Sequence, residues 1–393
     1  MYEVQRYKII ALRESTRTNN NTNYERGDKN MKVGLSCIFQ NPWNNLNDHD
    51  VYQHEVRIAS QAEALGYDSI WGVEHHFTGY TMCPDVLQWL SFIAGKTEKV
   101  QLGSMAVILP WHDPVRVAEQ FSMLDNLSNG RSIIGFGRGL ARVEFDTFGL
   151  NQSDARETFM ESAKMILEGL ETGYCELDGE LVKQPKAPIR PAPIKSFKGR
   201  SYAASMSPDS ILGMAELGLG LLLIPHKPWD EVAVDIARYS ELFNKVHGTN
   251  PPAPLAACWT YCHEDEDLAK EAAYKYMTGY WQSVIDHYEM NQDYFKKRKG
   301  YEYYGDMSDV INDVGRDAIA EMFMSLQVWG TPEQCYQKIV DIQSKIGNNG
   351  FNGVFSYADM PFDMAEDSFK LFSKEVLPRL KELPDVDSPN NAA

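Results

Sequence analysis

Short apolar runs alternate with amphipathic stretches along the chain from Met31 onward. Eight of the runs have the length of a β-strand, and the stretches between them carry the apolar spacing of helices. The runs cover residues 32–39, 69–73, 100–109, 132–136, 201–205, 218–225, 255–262 and 353–357. Strands that alternate with helices pair in parallel, and eight right-handed units of this kind close a barrel. The pattern therefore predicts the α/β class and a (β/α)8 TIM barrel. A doubly wound open sheet, which usually stops at about five or six units, is the alternative.

One connection is longer than a barrel needs. Residues 264–330, after the seventh strand, hold an insertion whose centre, DYFKKRKGYEYYGDMSD, is both aromatic and charged. A mobile lid between strand 7 and strand 8, which closes the barrel mouth against water, is the functional interpretation. A disordered surface excursion is the alternative.

The two ends of the chain differ in composition from the rest. Residues 1–30 are rich in Asn, Thr and Arg without a lasting apolar period, so a disordered leader is predicted there. The barrel domain is predicted over residues 31–383, and a flexible tail over 384–393.

Charge and apolar content exclude several classes of protein. The formal net charge of −17 argues against binding to nucleic acid or to an anionic membrane, because both need basic patches. No apolar run approaches the roughly 20 residues of a membrane span, and residues 1–30 lack the apolar core of a signal peptide. The 6 scattered cysteines fit unpaired thiols in a reducing cytoplasm. A cytoplasmic protein that acts on a small molecule is therefore predicted.

Polar residues follow several of the predicted strands, at the end of a barrel where active sites lie. Glu74, His75 and His76 follow the second strand. A histidine at this position suits a general base, because its proton exchanges near neutral pH. Two alternatives remain open from the residues alone. One is a metal site completed by other ligands, and the other is that one histidine is a capped structural residue and the other a surface residue.

A second group of residues indicates an anion site. Arg138 follows the fourth strand within GFGRG, and Arg156 lies at the start of the next long helix. Guanidinium groups form paired hydrogen bonds with phosphate or carboxylate. Ser205 and Ser207 precede a predicted helix whose free N–H groups and dipole favour an anion. The four residues predict a phosphate site, with structural salt bridges and simple helix capping as the alternatives.

These residues, in this order, resemble the bacterial luciferase family of flavin-dependent monooxygenases. The matching segments are EHHFTGY at 74–80, the stretch from VQLGSMAVILPW to SIIGFGRG at 100–139, and GTPEQC at 330–335. The resemblance is greatest to the catalytic alpha subunit. It implies a two-component enzyme whose FMN arrives as FMNH2 from a separate NAD(P)H:flavin reductase. The reduced flavin would react with O2 to a C4a-(hydro)peroxide, which oxygenates an organic substrate. A homodimer and no metal are also implied.

The resemblance also implies roles for individual residues. His75 corresponds to the active-site histidine, proposed as a general base, and Glu74 to its neighbour. The peptide bond between Met105 and Ala106 corresponds to a cis bond against the flavin ring. The two arginines and Ser205 correspond to phosphate contacts, and the segment from about 284 to 320 corresponds to the mobile lid. The implied cofactor-binding residues are Met105, Ala106, Phe136, Arg138, Arg156, Ser205, Met206 and Ser207.

The chain departs from the family pattern at several positions. Phe136 stands where the catalytic luciferase subunit has a reactive cysteine, and Asp113 occupies a histidine position with His112 displaced by one. These departures leave FMN binding in place but argue against light emission and a long-chain aldehyde substrate. Aromatic residues predicted to line the mouth favour an apolar or amphiphilic substrate instead. They are Trp43, Phe77, Trp111 and Tyr261.

Three other functions remain as alternatives. A deazaflavin-dependent oxidoreductase has the same fold, and a non-catalytic flavin-binding protein similar to the luciferase beta chain would lack the long insertion. A metal-dependent barrel hydrolase is the third.

Overall fold

The computed structural model describes residues 30–204 and 208–384. Eight parallel strands form a ring in which the last strand pairs with both the seventh and the first. They are β1 (Lys32–Cys37), β2 (Ser69–Gly72), β3 (Gln101–Ser104), β4 (Ser132–Gly137), β5 (Ser201–Ala204), β6 (Gly220–Leu223), β7 (Leu255–Cys262) and β8 (Gly350–Val354). The predicted (β/α)8 barrel is therefore confirmed. One strand is displaced from its predicted position, since β8 was predicted at residues 353–357 and spans Gly350–Val354.

Helices surround the barrel and cover its apolar outer surface. The helices between barrel strands and after β8 are Asp48–Ala62, Val86–Ala94, Pro114–Leu127, Arg142–Phe148, Ala155–Thr172, Pro208–Leu217, Trp229–His247, Pro332–Ile346, Phe362–Glu375 and Leu377–Leu380. Several begin at side chains that cap free N–H groups, as Asp85 does for Gln88. Asp113 caps Val115 and Arg116, which explains an aspartate at that position.

Two local features differ from the predicted elements. The run 100–109 is not one strand, because it is interrupted at Met105 and Ala106, whose peptide bond is cis as the resemblance implied. An antiparallel hairpin of Tyr174–Asp178 and Lys183–Pro188 was not predicted. Its second strand is polar, proline-containing and largely exposed, so it lacks the alternation that indicates a strand.

The insertion between β7 and β8 is present and mainly helical. It contains the helices Glu266–Tyr288, Glu302–Val314 and Arg316–Ser325, followed by the short strand Val328–Gly330 that pairs with β7. Its aromatic residues form a buried cluster with residues that follow β1 and β8, at the carboxyl end of the barrel. The insertion thus covers the barrel mouth.

Small residues let the barrel interior close around one large side chain. Trp71 is almost fully buried there, and a Cβ at Gly103 would lie 2.3 Å from its ring. Within the described residues, we find no helix that combines the length and the apolar content needed to cross a membrane. The predicted leader and tail lie outside the described residues, apart from Asn30 and Pro384, so the domain limits stay predictions.

Candidate active site

A cavity of about 430 Å³ opens at the carboxyl ends of the barrel strands. Glu74 and His75 follow β2, Met105 follows β3, and Arg138 follows β4, and all four contribute to its wall. The insertion adds further wall residues, among them Tyr288. The predicted position of the active site therefore coincides with a cavity large enough for a small organic ligand.

Glu74 is the centre of a buried group of hydrogen bonds. One carboxylate oxygen lies 2.6 Å from His112 Nε2 and 3.0 Å from His76 Nε2, and the other accepts the N–H of Ile108 at 3.0 Å. Burial alone would raise the pKa of Glu74, but the hydrogen bonds from His112 and His76 outweigh it and the pKa is lowered. Burial alone would lower the pKa of His112, but the hydrogen bond and the negative charge of Glu74 outweigh burial, so the pKa of His112 is raised. Glu74 is therefore an ionised carboxylate that joins the segment after β2 to the segment after β3.

His75 is held by a second buried carboxylate, Glu144. His75 Nδ1 lies 3.0 Å from Glu144 Oε1, and the same oxygen accepts the N–H of His76 at 2.9 Å. A carboxylate can only accept, so Nδ1 carries the hydrogen and Nε2 is left as an acceptor. The hydroxyl of Tyr288, from the insertion, lies 3.2 Å from that Nε2. This arrangement fixes both the orientation and the tautomer of His75.

His287 completes the cluster from the insertion side. Its Nδ1 lies 3.1 Å from Thr78 Oγ1, and its ring stacks on Tyr80 at a centroid distance of 4.4 Å. Burial, together with the nearby His75, lowers the pKa of His287 to about 2. His287 is therefore a neutral, buried imidazole at all physiological pH values.

His75, Glu144 and His287 also form the one metal-capable group found among the described residues. Their donor atoms lie within 4.8 Å of one another. His75 Nδ1 and Glu144 Oε1 are 3.0 Å apart, which is the distance of a direct hydrogen bond. This hydrogen bond explains why the two side chains lie together, and a bound ion is not needed to explain it.

The two predicted phosphate residues, Arg138 and Arg156, meet at another part of the cavity wall, beside Gly300 of the insertion. Arg138 Nη1 and Arg156 Nη2 both donate to the carbonyl oxygen of Gly300, at 2.7 and 3.3 Å. The Arg138 guanidinium also stacks on Tyr301, 4.1 Å from the ring centroid. Neither arginine forms an ion pair with a described carboxylate. The buried Nε of Arg156 has no hydrogen-bond partner within the described ranges, which leaves a donor for an anion.

Further contacts hold the insertion on the barrel mouth. Arg142 forms a bidentate ion pair with Glu289, with nitrogen–oxygen distances of 2.6 and 2.5 Å. The hydroxyl of Tyr301 donates to the carbonyl oxygen of Gly139 at 2.9 Å. Tyr301 itself is fully buried, so the contact is part of the packed interior.

The structure corrects one predicted cofactor contact. Met105, Ala106, Arg138 and Arg156 line the cavity, but Phe136 does not. Side chains along a strand alternate between the two faces, and Phe136 faces outward and packs on Phe121 with centroids 5.9 Å apart. The three predicted residues of the next loop lie outside the described residues. They are Ser205, Met206 and Ser207.

The aromatic wall is made by residues other than those predicted. Trp43 and Phe77 are exposed by 40% and 55%, and Tyr261 lines a separate cavity beside His263. Trp111 packs on Phe145 and is absent from the wall formed by the described residues. The aromatic residues that line the cavity are Tyr80, Phe159, Trp259, Tyr280, Tyr288 and Tyr304.

Sequence reasoning also missed the partners of His75. Glu144 lies on a short helix with no feature that distinguishes it from a surface carboxylate, and it becomes buried only when that helix packs on the segment after β2. Tyr288 and His287 end a helix of the insertion, more than 200 positions along the chain from His75. The sequence offered a direct signal for Tyr288 and His287, since both lie within the predicted lid, but none for Glu144.

Comparisons with known proteins show which family the chain matches and which solved structures share its fold. A family model described as luciferase-like monooxygenase matches residues 31–348. The alkanal monooxygenase alpha chain of Photorhabdus luminescens is 27% identical over 362 residues, which are 90% of this chain and 98% of the relative. Monooxygenase RslO1 from Streptomyces bottropensis shares the fold with a TM-score of 0.74 and 22% identity, over 89% of this chain and 99% of that chain. The oxygenating constituent of 3,6-diketocamphane monooxygenase from Pseudomonas putida, solved in complex with FMN, has a TM-score of 0.69 and 19% identity, over 91% of this chain and 100% of that chain.

Proposed function

This chain belongs to the luciferase-like monooxygenase family, and we propose that it oxygenates a small organic substrate with FMNH2 and O2. Family membership confirms the enzyme class predicted from the sequence, a flavin-dependent monooxygenase. In the proposal, a separate NAD(P)H:flavin reductase supplies FMNH2, and the chain acts as a homodimer.

The observation that carries the proposal is the convergence of Arg138 and Arg156 on one oxygen atom. Two guanidinium groups that share one carbonyl oxygen form the geometry that a phosphate oxygen would also satisfy. Met105 and Ala106 line the cavity between the arginines and His75, where a flat ring would lie. The residues present therefore fit FMN, whose phosphate the arginines would hold.

Bound FMNH2 supplies the two electrons that reduce O2, so that one oxygen atom enters the substrate and the other leaves as water. The chain provides the surroundings for this chemistry. His75 holds a proton at Nδ1 against Glu144 and offers Nε2 as the acceptor for a proton from the substrate side. Glu144 acts as a positioning residue through His75. Glu74 positions the same loop through His76 and His112.

The insertion excludes water in this proposal. Tyr288 and Tyr304 cover the cavity, and Gly300 covers the arginines. A water-poor cavity favours transfer of oxygen to the substrate over release as hydrogen peroxide.

The experiment measures binding and turnover separately. Equilibrium dialysis with FMN, riboflavin and a deazaflavin cofactor determines which flavin binds and whether the phosphate matters. Turnover with a flavin reductase, NADH and 18O2 is then followed by mass spectrometry over a panel of aldehydes, ketones, amines and phenols. We expect binding of FMN and incorporation of one labelled oxygen atom into a product. Preference for the deazaflavin, or no labelled product from any member of the panel, would refute the proposal.

A further inference from the structure

The cavity has a chemically distinct far end. Three buried aromatic residues of its wall, Tyr80, Trp259 and Tyr280, form the part that we call the far end. Trp259 and Tyr280 lie with ring centroids 4.1 Å apart at an angle of 33°. All three side chains are buried, so their rings are held in place by packing. Rigid aromatic walls favour flat ligands that can stack on them, because stacked rings gain energy beyond the area they bury.

The same wall offers hydrogen bonds. The hydroxyls of Tyr80 and Tyr280 lie 3.0 Å apart, so one of them donates to the other. Burial raises the pKa of Tyr80 to about 12, so its hydroxyl stays protonated. The hydroxyl of Tyr288 also interacts with that of Tyr80, and because each hydroxyl has one donor and two acceptor sites, the group keeps acceptor capacity for a ligand. A ligand hydroxyl can pair with a donor or with an acceptor among these tyrosine hydroxyls, because a hydroxyl both donates and accepts.

Trp259 adds a donor without a partner. Its indole nitrogen is buried and has no hydrogen-bond partner within residues 30–204 and 208–384. A buried N–H without a partner carries a free-energy cost that a ligand oxygen would remove. The wall therefore combines aromatic rings with a hydroxyl pair and an unpartnered indole donor, which are the kinds of group that bind an oxygen substituent.

We propose that the substrate is a flat aromatic ring system that carries a hydroxyl group, bound between Tyr80, Trp259 and Tyr280. This inference rests on the proposed function, because it assigns the far end of the cavity to the substrate and the arginine end to FMN. His75 borders the far end, with its ring centroid 4.9 Å from that of Tyr80, so the bound hydroxyl would lie near the proposed base.

The test compares three alcohols with the same number of carbon atoms: 2-naphthol, decahydro-2-naphthol and 1-decanol. Isothermal titration measures their dissociation constants on the full chain loaded with oxidised FMN. We expect 2-naphthol to bind about tenfold more tightly than the other two, in line with the energy of aromatic pairs. Equal affinities, or tightest binding of 1-decanol, would overturn the assignment.

Variants of Trp259 and Tyr280, each with a control variant at an exposed position, test whether these two residues bind the ring and the hydroxyl. Trp259→Leu should abolish the preference for 2-naphthol, and Trp259→Phe should restore part of it; Trp43→Leu, at an exposed tryptophan, should leave it unchanged. Tyr280→Phe should weaken the binding of 2-naphthol about fivefold and leave the binding of naphthalene unchanged. Tyr274→Phe, on the exposed side of the same helix, is its control. A preference that survives in Trp259→Leu would overturn the proposal, with circular dichroism used to verify that the variant is folded.

Binding of FMN is measured on the same samples, so the two proposals fail separately. If FMN does not bind, the proposed function is wrong. If FMN binds and the alcohols show no preference, only the substrate class is wrong.

Discussion

A buried histidine that stays neutral makes the stability of a protein depend on pH, and His287 is such a residue. Burial and the neighbouring His75 lower its pKa from 6.5 to about 2. The unfolded chain therefore binds a proton at this position more readily than the folded chain does. Stability contributed in this way is complete above pH 6.5 and is lost progressively as the pH falls towards 2.

The size of the effect follows from the two pKa values. Each pH unit below 6.5 costs about 1.4 kcal/mol of unfolding free energy, so the loss between pH 7 and pH 5 is about 2 kcal/mol. Replacing the imidazole removes this contribution. His287→Asn keeps a polar group that can reach Thr78 and leaves a small cavity, whose cost is the same at both pH values. The difference between pH 7 and pH 5 should therefore be about 2 kcal/mol smaller in the variant.

Urea unfolding followed by tryptophan fluorescence at pH 7 and pH 5 measures this difference, after refolding has been shown to be reversible. His49→Asn, at an exposed histidine on the helix Asp48–Ala62, is the control and should keep the pH dependence of the wild type. If His287→Asn loses as much stability between pH 7 and pH 5 as the wild type, the reasoning from burial is wrong.

Three further predictions concern the two ends of the cavity. Arg138→Ala and Arg156→Ala should each weaken FMN binding by about 10- to 100-fold, measured by dialysis, while riboflavin binding stays the same, because only FMN offers a phosphate to these charge-assisted bonds. Glu144→Gln should leave FMN affinity unchanged but lower substrate oxygenation by at least about tenfold and increase the release of hydrogen peroxide. An oxygen electrode with and without catalase measures the share of O2 that is released as hydrogen peroxide. If that share does not change, Glu144 does not position His75. Gly300→Ala should weaken FMN binding because its Cβ would lie 3.2 Å from Arg156 Nε, whereas Gly315→Ala, also at positive φ but with no atom within 4 Å of its Cβ, should lower only thermal stability. Equal FMN affinities of these two glycine variants would count against the arginine site.

The barrel was predictable because its signal is local and repeated. Each strand is a short apolar run next to a helical stretch, and neither depends on distant residues. The side chains directly after the strands, Glu74, His75 and Arg138, were predictable for the same reason. Phe136 was misplaced because the resemblance fixed its position in the strand but not the face on which its side chain lies. Glu144 could not be found, because only tertiary packing separates a buried carboxylate from a surface one.

Two buried carboxylates, Glu74 and Glu144, have different surroundings in the structure, although the sequence does not distinguish them. Glu74 takes hydrogen bonds from His112, His76 and the Ile108 N–H, so its described partners all belong to barrel loops. Glu144 takes hydrogen bonds from His75 and from the His76 N–H on one oxygen and leaves its second oxygen without a described partner. The first of these oxygens also lies 3.8 Å from Nε2 of His287, which the insertion contributes. The first carboxylate therefore belongs to the scaffold, whereas the surroundings of the second depend on how the insertion packs. Since Gly300 of the insertion also lies on Arg138, both ends of the cavity are completed by the same segment. Changes in that segment should therefore affect the cofactor end and the His75 end together, without altering the barrel.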